Sequence, residues 1–317
     1  MLPKTRRLRQ LFEARGLDPI IEVDGGENRE SAGQAIEAGA NAIVAGSAIF
    51  RSPDLCRRDR RYPRRLAVDR EGTQMISASK AKVEVLADPE ALSRRVADWV
   101  LELAMAKDGE FAVALSGGST PQGLYERLAG PPYIDAFPWF RTHWFWGDER
   151  FVPHDNPLSN YRMVREALLS RAPIPAINIH SIPTEGLSPE ASASAYASDL
   201  KSFYGTERLD PARPLFDVNL LGLGSDGHTA SLFPGTAALT ERDRWVTAVI
   251  GAKAEARITL TYPTLESSRH TAFLVAGKGK RAIFDRLRRG DDSLPAAHLR
   301  PTGTLCIFGD VAAVAIG

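Results

Sequence analysis

The sequence predicts an α/β protein, a largely parallel sheet flanked by helices. Three observations carry this. From residue 82 onward, short apolar runs rich in β-branched and aromatic residues alternate with stretches of helical periodicity. Two glycine-rich turns, 116–118 and 222–227, each follow directly on an apolar run, where such a sheet meets its ligands. The alternation runs to the C-terminal end without a break in composition or an internal repeat.

The elements follow in order. KVEVLA (82–87) is a strand. Asp88-Pro89 opens a helix with an N-cap acceptor and a proline in the first turn. Leu92, Val96, Trp99, Val100 and Leu103 then fall on one face, and Gly109 closes the helix. FAVALS (111–116) is apolar throughout, as a strand buried on both faces must be. Pro121 begins a helix that Gly130 ends. HWFWGDER (143–150) reads as one strand ending in charge, and Ser188-Pro189 starts a helix stopped by Gly205. DVNLLGLG, WVTAVIG, ARITLTY, TAFLVAG and TLCIFGD supply further strands.

Bulk properties narrow the function. The chain has 317 residues, 44% hydrophobic and 25% charged, with room for one or two domains. A net charge of +1 gives no global attraction to nucleic acid or an acidic membrane. Cys56 and Cys306 form no C-x-x-C pair, which suits a reducing cytoplasm. No apolar run approaches a membrane span, and no signal peptide is recognisable. Residues 56–74, dense in arginine and poor in apolar periodicity, read as a solvated linker between residues 1–55 and 75–317.

Three loops carry chemistry. In ALSGGSTPQGLYERLAG (114–130), Gly117 and Gly118 let backbone approach a ligand, Ser119 and Thr120 add hydroxyl donors, and the helix start adds free N–H groups: a phosphate cradle, without the lysine of a Walker loop. In WFWGDERFVPHDNPLSNYRM (144–163), Asp148, Glu149 and Arg150 stand at a strand end, and Arg150 has the fork geometry for a phosphate or carboxylate. FDVNLLGLGSDGHTASLFPG (216–235) contains a literal G-x-G-x-x-G, but Pro234-Gly235 breaks any helix soon after it, so a dinucleotide site is not expected. What the loop does present is His228, framed by glycines beyond a buried strand and suited to proton transfer near neutral pH. His143, His154, His180, His270 and His298 lack that framing and read as structural. No His/Asp/Glu spacing suggests a metal, and no G-x-S-x-G serine elbow occurs.

Together, LSGGSTP (115–121), WGDERFVPHDNPLSNYRM (146–163) and LLGLGSDGHTASLFPG (220–235) resemble 6-phosphogluconolactonase over essentially residues 75–317. The resemblance implies a metal-free, cofactor-free Rossmann-like fold of the glucosamine-6-phosphate deaminase/lactonase type that hydrolyses 6-phosphoglucono-δ-lactone. It implies His228 as general base on water and a phosphate held by Gly117, Gly118, Ser119, Thr120 and Arg150. Arg257 and Lys278 match basic positions near the family's substrate site, and either Asp148 or Asp226 would orient His228. The partner is a small phosphorylated sugar lactone, with neither nucleic acid nor membrane, and the chain is expected to be a monomer. The deaminase branch is the closest alternative, but it carries a sequence like DGHIAFNEP where this chain has DGHTASLFP (226–234). A non-enzymatic sugar-phosphate sensor would typically lack His228.

IIEVDGG (20–26) and AGANAIVAGSAIF (38–50) resemble the last two strands of ribulose-phosphate 3-epimerase, a TIM barrel. On that resemblance Gly25-Gly26 and Gly46-Ser47 match phosphate loops and Asp24 a catalytic aspartate. Two strands cannot close a barrel, so no epimerase activity is expected. The fragment is expected either as a fusion remnant or as translation upstream of Met75, and its strand edges would favour association.

Overall fold

A run such as Phe111–Leu115 has no polar face to give to water, and all five of its residues are buried. The computed structural model describes residues 81–314 together with Thr5–Arg6, Glu22–Asp24, Ala38 and Ala42–Val44, and the chain divides into two units, Met1–Thr73 and Gln74–Gly317. In the first unit β1 (Glu22–Asp24) and β2 (Ala42–Val44) pair in parallel, Glu22 opposite Ala42. The linker 56–74, Cys56, Met75 and the two glycine loops of the barrel resemblance lie outside the described residues.

In the second unit seven strands form one parallel sheet: β3 (Lys82–Leu86), β4 (Phe111–Leu115), β5 (Thr142–Trp146), β7 (Ile179–His180), β8 (Phe216–Gly222), β11 (Ser268–Val275) and β12 (Thr304–Asp310). Their order is β3-β12-β11-β8-β4-β5-β7, and every pairing between neighbours is parallel. The helices are α1 (Pro89–Ala106), α2 (Ser119–Leu128), α3 (Tyr133–Ala136), α4 (Asn160–Val164), α5 (Pro189–Tyr204), α6 (Tyr262–Glu266) and α7 (Arg281–Arg288). Local chemistry sets the starts of α1 and α5 and the end of α5 as expected, whereas α2 begins at Ser119, ahead of Pro121, and α1 ends at Ala106, ahead of Gly109. Asp88 Oδ1 accepts from Ala91 N at the start of α1, and Ser188 Oγ does the same for Ala191 in α5. Gly205 ends α5 with φ of 80°, a conformation costly for any residue with a Cβ.

One expectation needs correction. HWFWGDER is two strands, because Gly147 carries the chain out of the main sheet: its N–H still donates to Leu115 O (2.8 Å), while its carbonyl accepts from Leu260 N (2.9 Å). The charged half becomes β6 (Asp148–Arg150), which joins β10 (Arg257–Leu260) and β9 (Val246–Val249) in a separate antiparallel sheet of order β6-β10-β9. WVTAVIG and ARITLTY therefore do not extend the parallel sheet. The segment 250–256 between them is too short for a parallel crossover and suffices for an antiparallel return.

The chain runs from β4 to β5 and β7 on one side, and from β8 to β11 and β12 on the other. The sheet thus reverses direction between β4 and β8, and a crevice opens beyond their carboxyl ends. Two buried tyrosines pin strand ends beside it. Tyr125 OH accepts from Ser116 N (2.9 Å) and donates to Ser116 O (2.8 Å); Tyr196 OH does the same for Trp146 (2.8 and 3.0 Å). Burial raises the pKa of both phenols, so they remain neutral and can donate.

At the sheet's far edge, His143 Nδ1 lies 3.0 Å from His180 Nε2 and His180 Nδ1 lies 3.0 Å from Asp199 Oδ2, with Glu110 3.8 Å from His143 Nε2. The row is packed against Phe145 and Phe203. Desolvation, and then the neighbouring His180, lowers the His143 pKa. Between its folded and unfolded values the unfolded chain binds more protons, so this contribution to stability is complete above the ordinary imidazole value and is lost as pH falls towards the folded one. Melting temperature should drop on acidification through that window. A His143→Phe chain should show a shallower drop, and an identical slope would remove His143 as the cause.

Candidate functional site

The loops after β4 and β8 lie side by side over the crevice, a cavity of about 350 Å³ lined by Ser116 to Pro121, Asp148, Arg150, Asn160, the 222–225 turn, His228, Ala230, Leu274 and Lys280. Gly118 has φ of 107° and precedes α2, whose first residues, Ser119 and Thr120, belong to the cavity lining, so the helix begins at the cavity wall. Gly117 is required by space rather than by dihedral angle. A Cβ there would overlap the side-chain amide of Asn160, 2.8 Å from its Nδ2.

The loop after β8 is folded by its own hydrogen bonds, Gly224 N to His228 O (2.8 Å) and Gly227 N to Gly224 O (3.0 Å). No helix follows the G-x-G-x-x-G, and Ala230 holds φ of 47°. Strain of this kind in a residue with a Cβ persists only where its surroundings over-determine it. Thr229 Oγ1 bonded to Gly222 O (3.0 Å) and Ser231 N bonded to Thr259 Oγ1 (3.2 Å) fix it from both sides.

His228 Nδ1 is hydrogen-bonded to Asp226 Oδ1, which also accepts from His228 N (3.2 Å). Lys253 Nζ stands 3.6 Å from the other Asp226 oxygen. Burial disfavours the Asp226 anion, but its bond to His228 and the nearby charges outweigh this and hold the carboxyl below the usual carboxylate range. An ionised Asp226 fixes the proton on Nδ1 and leaves Nε2 as the basic nitrogen.

The two carboxylates left open by the sequence are thereby separated. Asp148 takes its hydrogen bond from Ser231 Oγ (2.6 Å), and it is Asp226 that contacts His228. Glu149, fully buried, accepts from Arg150 N (2.7 Å), Ser159 Oγ (3.0 Å), Asn160 N (2.7 Å) and Tyr161 N (2.7 Å). Burial outweighs the backbone donors Asn160, Tyr161 and Arg150 and raises its pKa, and this one carboxyl group ties β6 to the start of α4. Arg150, projecting into the cavity, is braced through Nη1 on Leu158 O (2.6 Å).

Two expected residues lie elsewhere. Lys278 is exposed and is not part of the lining; Lys280 lines the cavity instead, its Nζ on Leu223 O (2.6 Å). VAGKGK offers both lysines, and the 3₁₀ turn Lys278–Lys280 decides which points inward. Arg257 also stands outside the lining, opposite Arg150 in the β10–β6 register, with an unpartnered buried Nε. Burial, and then Arg150, lowers its pKa. Asn160 and Ser231, both within quoted motifs, carry contacts that the sequence alone did not single out. A larger hollow of about 740 Å³ lies beyond Asp226, but the phosphate-type loop takes no part in it.

A family model described as glucosamine-6-phosphate isomerases/6-phosphogluconolactonase matches residues 87–307. A ribulose-phosphate 3-epimerase family model matches residues 1–50. A 6-phosphogluconolactonase of Nostoc sp. is 43% identical over 242 residues, 74% of this chain and 97% of that one. A solved 6-phosphogluconolactonase structure from Thermotoga maritima superposes with a TM-score of 0.63 at 33% identity, covering 73% of this chain and all of that one. A monomeric glucosamine-6-phosphate deaminase superposes equally well, at 0.63, but at 21% identity, a likeness of fold alone.

Proposed function

The chain belongs to the glucosamine-6-phosphate isomerase/6-phosphogluconolactonase family, and we propose that its activity is the hydrolysis of 6-phosphoglucono-δ-lactone to 6-phosphogluconate. One observation carries the reading. A histidine whose Nδ1 is held by an ionised aspartate shares a cavity with a helix N-terminus, an arginine and a lysine. The first group is a base for water, and the second is a seat for a phosphate.

In this reading the 6-phosphate rests on the Gly117–Thr120 turn, with Arg150 and Lys280 as its cations. Arg257, behind Arg150, strengthens the positive field from outside the lining. Anchoring the phosphate holds the lactone carbonyl near His228, which removes much of the entropic part of the barrier. His228 Nε2 takes a proton as a water oxygen bonds to C1, and backbone N–H groups of the glycine loops meet the oxyanion. As the tetrahedral centre collapses, the C1–O5 bond breaks and the proton passes from Nε2 to O5. Asp226 keeps the imidazole oriented and stabilises its cation throughout. No step uses a metal or cofactor. We place the enzyme in the cytoplasm as a monomer; among the described residues no helix is long and apolar enough to cross a membrane.

The test is hydrolysis of freshly generated 6-phosphoglucono-δ-lactone by the full chain, with the spontaneous rate subtracted and chelator present. Catalysis that survives the chelator supports the reading. Release of ammonia from glucosamine 6-phosphate with no lactone hydrolysis would replace it with the deaminase.

A further inference from the structure

We propose that Asp148 and Asn160 are the specificity-determining residues that recognise hydroxyl groups of the substrate, an inference that rests on the lactonase reading. The cavity is otherwise dominated by groups that favour an anion: the α2 N-terminus, Ser119, Thr120, Arg150 and Lys280. Asp148 and Asn160 differ in kind. Both line the cavity, both are nearly sealed (8% and 3% exposed), and each keeps a side-chain oxygen to which no donor among the described residues is bonded.

The amide of Asn160 cannot rotate freely. Its Nδ2 donates to Asp148 O (2.9 Å), its backbone N–H is held by Glu149 (2.7 Å), and its side chain packs where a Cβ of Gly117 would stand. The amide nitrogen being so engaged, Oδ1 is left as an acceptor, and among the described residues no protein donor is bonded to it. It lies against Gly117 of the cavity wall and is not sealed off, as an acceptor bordering the cavity would be. Asp148 is in the same position, since Ser231 Oγ occupies its Oδ2 (2.6 Å) and the dyad with His228 is made by Asp226. Glu149, fully buried, fixes the backbone of Asn160, and Asn160 Nδ2 on Asp148 O ties the two residues together.

An acceptor beside an anion seat repels phosphate oxygens, so what it can accept is a neutral donor on the rest of the ligand. Polyhydroxylated sugar phosphates carry both parts. A nearly buried acceptor left without a donor is costly, which is how such a site rejects an analogue lacking one hydroxyl. Asp148 and Asn160 therefore select for the polyol, while the cations select for the phosphate.

Calorimetric titration of the full chain with inorganic phosphate, 6-phosphogluconate and its 2-, 3- and 4-deoxy analogues tests this. Asn160→Ala should weaken 6-phosphogluconate roughly fivefold to tenfold, the worth of one neutral hydrogen bond. It should leave inorganic phosphate within about twofold, and one deoxy analogue should bind both chains alike, having already lost the contact. Equal weakening of phosphate and 6-phosphogluconate, or a loss that no analogue relieves, would overturn the proposal. Should Asn160→Ala fail to fold, the unmodified chain decides: a deoxy analogue bound at least fivefold more weakly than the parent supports it, and uniform binding overturns it. A chain that hydrolyses the lactone yet shows uniform binding loses only this inference, whereas one that does not hydrolyse it loses the lactonase reading as well.

Discussion

Replacing His228 by alanine is expected to lower kcat/KM for the lactone by about 10²–10⁴-fold, the usual worth of a positioned general base. The loss should lie in kcat, because the groups assigned to the phosphate, Ser119, Thr120, Arg150 and Lys280, belong to other segments of the cavity wall and remain in place. The fold should tolerate the change. The His228 side chain is 28% exposed, and Asp226, relieved of it, still has Lys253 at 3.6 Å. Inorganic phosphate should bind the variant as it binds the unmodified chain. Lactone hydrolysis within a factor of ten of the original would assign the base to another group.

Much of this site was legible in the sequence, for a physical reason. A buried parallel strand is apolar throughout, and where it ends the chain must turn sharply, so Gly117-Gly118 and Gly222 to Gly227 mark the crevice in the sequence itself. That His228 and the Gly117–Thr120 turn share one cavity wall followed from that. What sequence could not give was direction. Asp148 and Asp226 are equally short carboxylates near a strand end, and their roles separate only through Ser231 and His228, which the fold delivers to different ones. Lys278 and Lys280 differ by a fraction of a turn. The break at Gly147 was hidden for a similar reason. An aromatic run that gives way to charge reads equally well as one strand reaching the surface, and only a hydrogen-bond ladder that passes from Leu115 to Leu260 reveals that one strand has become two.

Gly224 provides the sharpest separation of dyad geometry from fold. Its φ is not in the left-handed region, so alanine meets no backbone penalty there. The obstacle is space: a Cβ would overlap His228 Nδ1 and Cε1 and lie 2.7 Å from Asp226 Oδ1. Because Asp226 anchors the imidazole, the ring must leave its hydrogen bond to make room. Gly224→Ala should therefore reduce kcat to near the level of His228→Ala and cost about 1–3 kcal/mol of stability, the usual penalty for overpacking. Adding His228→Ala removes the imidazole atoms in the way and releases the Asp226 carboxylate, 2.7 Å from the added Cβ, to turn aside. The double variant should recover most of that stability and be no less active than His228→Ala alone, because both changes disable one unit and their effects do not add. Thermal melts and initial rates on the four chains measure both quantities. A double variant that stays destabilised would place the strain in the backbone of the loop instead of at the dyad. Gly224→Ala with nearly full activity would show that the imidazole works from a position other than the one Asp226 gives it.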